Sequence, residues 1–267
     1  MSGNESLLAL VERLGSRLSG GLRGRLQIEP DPAQRLDIID DALRPPEPQL
    51  LDTSVLQNLE WVDRKLGGAE GGVCWDDGAV AELEDRFGKD LASDLLDLGT
   101  LYTRFEHYGS YPWLICNAAV DEANVLQNEK GERLRQLLSF LSGHQDEWHG
   151  DSFSGIAKGL LLSRGRSRVS PLILRAMGVT NSEELLDSSG PLSFLPDGGD
   201  RALVAQALLA NIPAILTTDR RTFWAHRDKV RELGVEILRP TELLDIYVPY
   251  WDANEYEFAR RRANARP

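Results

Sequence analysis

Four carboxylates occupy comparable places in distant segments of the chain. Asp52 closes the apolar run Leu50-Leu51, and Asp219 closes Ala214-Ile215-Leu216-Thr217-Thr218. Asp200 opens the apolar stretch Ala202 to Ala210, and Glu122 follows Ala118-Ala119-Val120-Asp121. Acids brought together in this way hold hard divalent cations, Mg²⁺ or Mn²⁺, which prefer oxygen ligands. Two such cations about 4 Å apart activate a water as nucleophile. Asp197, one helical turn before Asp200, is a further candidate ligand. Thr53, Ser54, Thr217 and Thr218 offer hydroxyls that could orient carboxylates or metal waters. No serine, cysteine or histidine nucleophile arrangement accompanies them, which fits a water nucleophile. The local alternative is that Asp52 or Ser54 only caps a helix.

The elements that must position these acids follow from hydrophobic spacing. Val55, Leu56, Leu59, Val62 and Leu66 recur at the period of one helical face, so a helix follows the short strand ending at Asp52. Trp113 to Asn117 reads as a strand running into a helix that carries Glu122 in its first turns. Asp200 to Ala210 reads as a buried helix, followed by a strand ending in Thr217-Thr218-Asp219. Val235 to Leu238 then makes a last strand and Pro240 opens a last helix. Strands alternating with helices predict an α/β fold with a mostly parallel sheet, whose carboxyl edge is where ligands bind.

Leu50-Leu51-Asp52-Thr53-Ser54-Val55-Leu56, Val120-Asp121-Glu122, Asp200 to Ala207 and Ile215 to Asp219 resemble, in order and combination, the motifs of the PIN-domain nucleases. The likeness covers residues 46–70, 110–126 and 197–247. It implies a three-layer α/β/α architecture and metal-dependent hydrolysis of nucleic-acid phosphodiesters, RNA in preference to DNA. Asp52, Glu122, Asp200 and Asp219 would be the metal-holding catalytic acids. The expected organisation is an amino-terminal helical extension over 1–45, a PIN-like domain over 46–247 and a tail over 248–267. Helical insertions are expected at about 67–110 and 127–196. The alternative from another class is a catalytically idle PIN-like module serving as scaffold or regulatory binding protein. A phosphatase of the haloacid dehalogenase type would need an Asp where Ser54 stands.

Composition bounds the rest. The chain has 267 residues, 42% hydrophobic and 27% charged, ordinary for a globular protein. No run of eighteen apolar residues exists and the start lacks a basic, apolar leader, so a cytoplasmic protein without a membrane span is expected. Cys74 and Cys116 lack ligand-like spacing, as in buried thiols of a reducing compartment. A net charge of −12 argues against capture of nucleic acid by the whole surface, so an anionic substrate must meet local basic groups. The candidates are Arg164, Arg166 and Arg168 on a hydroxyl-rich loop, and Arg220 and Arg221 beside Asp219. The plain alternative for the first three is a solvated loop.

Other features carry less. The stripe Leu7, Leu8, Val11, Leu14 and Leu18 predicts an amphipathic helix that packs on the domain, a second copy or a protein partner. The Gly67 to Gly72 turn lacks the Lys-Ser/Thr of a phosphate loop. Asp76 and Asp77 read as a turn or cap, and Asp37, Asp40 and Asp41 as solvated charges. His144 and His149 flank Trp148 without a third ligand, so no zinc site is expected. Val80 to about Phe105 reads as one helical stretch and Gly131 to Ser142 as another. The aromatics and arginines after Leu244 suit single-stranded nucleic acid, or equally a frayed terminus.

Overall fold

The computed structural model describes residues 46–66, 77–108, 111–148, 171–181, 183–210 and 212–264, with isolated positions between 31 and 42. The amino-terminal stripe, Asp37, Asp40, Asp41, Cys74, Asp76, the Gly67 to Gly72 turn, His149 and the Arg164/Arg166/Arg168 loop lie outside these residues. The side chains of Asp77, Glu122, His144, Arg260, Arg261 and Arg262 lie outside the description as well. The chain divides into two compact units. One is Glu47–Thr241, and the other comprises Met1–Pro46 with Glu242–Pro267.

Four three-residue strands organise the first unit: β1 (Gln49–Leu51), β2 (Trp113–Ile115), β3 (Ala214–Leu216) and β4 (Glu236–Leu238). They form one parallel sheet in the order β2-β1-β3-β4, with Leu50 opposite both Leu114 and Ile215. Consecutive residues of β1, β2 and β3 are all buried. Since successive strand side chains point to opposite faces, the sheet is covered on both sides, as parallel sheets require. The chain moves from β1 to β2 on one flank and then places β3 on the other flank of β1. That reversal creates a topological switch point between β1 and β3, where α/β sheets bind ligands at the strands' carboxyl ends.

The helix α1 (Thr53–Leu66) buries Val55, Leu56, Leu59 and Val62 completely, the face its sequence predicted. The stretch read as one helix from Val80 is divided into α2 (Asp77–Phe87) and α3 (Lys89–Tyr108). Gly88 makes the break, at φ +77°, a left-handed conformation that only glycine adopts without cost. The helix α3 buries Ala92, Leu95, Leu98 and Leu101, and its Tyr102 and Phe105 join Tyr111, Trp113 and Phe140 in an aromatic cluster.

After β2 comes α4 (Asn117–Val125), then α5 (Glu129–Trp148). The latter begins two residues before Gly131 because Asn128 caps it, accepting from the Gly131 amide at 2.9 Å. A Cβ at Gly131 would stand 2.1 Å from the Leu126 carbonyl oxygen, so this tight entry requires glycine. Two short helices, α6 (Pro171–Ala176) and α7 (Glu183–Leu186), precede α8 (Gly198–Ala210) and α9 (Arg227–Glu232). The last helix, α10 (Pro240–Asn264), starts with proline at a position where its missing N–H costs nothing. It contains Pro249 and runs through most of the segment read as a tail, with Tyr247 and Trp251 buried in the second unit. Among the described residues no helix is long and apolar enough to cross a membrane.

Candidate active site

The switch point is occupied by a polar network that the strand ends deliver. The Asp52 amide donates to the Leu216 carbonyl at 3.0 Å, which fixes Asp52 directly beside the end of β3. Oδ2 of Asp52 accepts from the hydroxyls of Ser54 and Thr217, the latter at 2.7 Å. The hydroxyl of Ser54 in turn accepts from the Thr218 amide at 3.2 Å and its hydroxyl at 3.0 Å. Asn58 closes the network by donating to Thr218 Oγ1 at 2.8 Å. Thr53, at the first position of α1, has no part in these contacts.

Asp52 also accepts from the Ser54 backbone amide, so it does cap α1. Capping and a catalytic role are compatible here, because the cap sits at the carboxyl edge of the sheet. Burial is the main cause that pushes the Asp52 carboxyl above its ordinary value. Its hydrogen bonds oppose that rise, and the charge of Asp219 adds to it.

Asp200 lies in the first turn of α8, where the helix dipole favours an anion. Its carboxyl is nevertheless pushed up to about 6, first by burial and then by the charges of Asp52, Asp197 and Asp219. A hydrogen bond with the Thr222 hydroxyl works the other way. Among the described residues its Oδ2 is buried with no hydrogen-bond donor. A buried anionic oxygen without a hydrogen bond is costly, and three other acids stand near enough to raise its proton affinity. That is the electrostatic condition a cation relieves.

Asp197 is exposed and caps α8, accepting from the Gly199 amide at 2.6 Å and the Asp200 amide at 3.3 Å. Asp219 turns its carboxylate onto its own loop. It accepts from the Arg221 amide at 2.7 Å, the Thr222 amide at 3.4 Å and the Thr222 hydroxyl. Glu122 is carried by α4, which follows β2 on the far side of β1 from β3. Among the described residues, no group of three or more His, Cys, Asp or Glu side chains is spaced to hold a single metal ion. The structure thus brings Asp52, Asp197 and Asp219 within electrostatic reach of Asp200, with Asp219 and Asp197 engaged as local caps.

Two residues of the network were not singled out in the sequence. Asn58 lies four positions after Ser54, on the same helical face, and that spacing was the available signal. Thr222 bridges the Asp219 loop to Asp200, a role set by tertiary contact alone.

The two arginines beside Asp219 differ. Arg220 reaches away from the acids to Asp90 at 2.5 Å and to Asp94 at 3.3 Å. Asp94, fully buried on α3, also accepts from Arg239 Nε at 3.1 Å and Nη2 at 2.9 Å, and from the Thr241 hydroxyl at 3.0 Å. This hub fastens the loops after β3 and β4 to α3. Arg221 is exposed and makes no ion pair among the described residues.

The charge on Asp200 costs folding stability at neutral pH. The folded-state pKa of about 6 exceeds the ordinary 3.8, so the charged carboxylate costs nothing below about pH 4. The penalty grows as pH rises through 6 and persists above it. Allowing for screening of a half-buried group and for the lost dipole interaction, its net size is about 1 kcal/mol. In EDTA, Asp200→Asn is therefore expected to melt about 2–4 °C above wild type at pH 7.5 and level with it at pH 4. A variant that melts lower at pH 7.5 would show Asp200 to be a net stabilising helix acid instead.

Comparison with known proteins gives no matching family model, no matching curated sequence and no matching solved structure.

Proposed function

We propose that the chain is a divalent-metal-dependent nuclease with a PIN-like, three-layer α/β/α domain, cleaving nucleic acid and preferring RNA. The observation that carries this reading is the buried Asp200 Oδ2, without a donor among the described residues, near the charges of Asp52 and Asp219 at the β1/β3 switch point. The parallel sheet covered on both faces supports the architecture.

Asp52 and Asp200 would hold Mg²⁺ or Mn²⁺, joined by Asp219, Glu122 and Asp197. Bound there, the cations would supply Lewis acidity and lower the pKa of a water so that it attacks phosphorus. The chain's own contribution is positioning. Ser54 and Thr217 fix one carboxylate oxygen of Asp52. Asn58 and Thr218 lock the hydroxyl of Ser54, and Thr222 links Asp219 to Asp200.

A second reading, a PIN-like scaffold without catalysis, draws support from one observation: Asp219 spends both carboxylate oxygens on its own turn. The melting experiment separates the two. Adding Mg²⁺ or Mn²⁺ should raise the wild-type melting temperature by mass action, by about 2.7 kcal/mol of stability at a hundredfold excess over Kd. Asp200→Asn should gain clearly less. Equal gains, or none in wild type, would favour the scaffold.

A further inference from the structure

A cleft of about 560 Å³ opens beside the Asp219 loop, walled by Thr218, Asp219 and Arg220 on one side and by Phe87, Lys89, Asp90 and Leu91 on the other. Arg221 completes its rim. Its cations are unequal. Arg220 is held by Asp90 and Asp94, so its charge is already answered. Lys89 and Arg221 are both exposed, and neither makes an ion pair among the described residues. Asp90 is engaged by Arg220 and Asp219 by its own turn, so in a chain of net charge −12 this lining keeps two cations outside any ion pair among the described residues. Phe87 and Leu91 are half-buried and give the same cleft an apolar wall, with Phe87 held edge-on by Trp61 at 5.5 Å and the Arg86 guanidinium lying 5.1 Å from its ring centre. Cations that track a backbone, beside an aromatic surface, are the combination that takes a single strand with unpaired bases. A duplex hides its bases and cannot use that wall.

We propose that this cleft binds a single strand of nucleic acid, its phosphates on Lys89 and Arg221 and a base against Phe87 and Leu91. The proposal deepens the nuclease reading and rests on it for the identity of the anion. It assigns Lys89, 130 residues and more away from the Asp219 loop, a substrate-binding role.

The test is fluorescence anisotropy of the full-length protein in EDTA, with short labelled single-stranded RNA and DNA and with a matching duplex, over a salt series. Lys89→Ala with Arg221→Ala removes two exposed side chains and leaves the hydrogen-bonded acids in place. Each phosphate contact to a single strand contributes about 0.7 to the log–log salt slope. The double variant should therefore lose about 1.4 of slope and bind on the order of tenfold more weakly at 0.15 M salt. The duplex should bind wild type less tightly than either single strand. An unchanged slope and affinity in the double variant, equal binding of the duplex, or no binding by wild type would each overturn the proposal. Cleavage that persists alongside unchanged binding would overturn the cleft and leave the nuclease reading standing. Binding that depends on Lys89 and Arg221 without cleavage in any metal would do the reverse.

Discussion

Asp52→Asn and Asp200→Asn should each lower cleavage by on the order of 10³-fold or more while the protein stays folded. Each substitution keeps the shape and removes one charge from the pair at the switch point. Holding and polarising through a divalent cation is worth several kcal/mol in the transition state, and every 1.36 kcal/mol is a factor of ten in rate. The hydroxyls of Ser54 and Thr217 can still donate to an amide oxygen at position 52, so the network around Asn58 and Thr218 should survive. Circular dichroism and melting curves alongside the rates will show this. Loss of rate with the fold retained assigns the two acids to the chemistry. Full activity in either variant would remove that acid from the mechanism.

The largest expected effect on stability lies at Asp94. This carboxylate is fully buried, and it answers the guanidinium groups of Arg220 and Arg239 as well as the Thr241 hydroxyl. Deleting one partner of a buried charge pair leaves the others uncompensated and costs about 3–5 kcal/mol. Against a total stability of about 5–15 kcal/mol, Asp94→Ala should lower the melting temperature by roughly 6–20 °C. Asp90→Ala is the contrast. It removes an ion pair whose carboxylate is 79% exposed, and such pairs contribute about 0–1 kcal/mol. Equal shifts in the two variants would mean that the hub holds no more than a surface pair does. Because the hub anchors the loop that carries Asp219, Asp94→Ala should also weaken activity beyond its effect on the folded fraction.

What the sequence made legible was local. The strand ends at Asp52 and Asp219, the buried stripe of α1 and the start of α8 near Asp200 all follow from apolar periodicity and from polar residues at element boundaries. Four features were not legible, each for a physical reason. Gly88 breaks an apolar pattern that continues in phase on both sides of it, so spacing alone reads one helix where there are two. Asp94 looks like any helical acid four residues after Asp90. Its burial is decided by arginines 126 and 145 positions away. Arg220 and Arg221 are chemically identical neighbours that both line the cleft, yet one is spent on that hub and the other makes no ion pair among the described residues. The order β2-β1-β3-β4 depends on long-range pairing that no local pattern encodes. It is this order that turns separate strand-end acids into one candidate site.

The proposed nuclease reaction requires Asp52 and Asp200 to hold a divalent cation that activates water against a phosphodiester. The most direct measurement incubates purified wild-type protein and Asp200→Asn with labelled single- and double-stranded RNA and DNA, in Mg²⁺, in Mn²⁺ and in EDTA, at pH 7.5. Single-stranded substrate, RNA foremost, should be cleaved by wild type in at least one metal, with no cleavage in EDTA and none by the variant. Cleavage that persists in EDTA, equal cleavage by Asp200→Asn, or no cleavage under any condition would contradict the account.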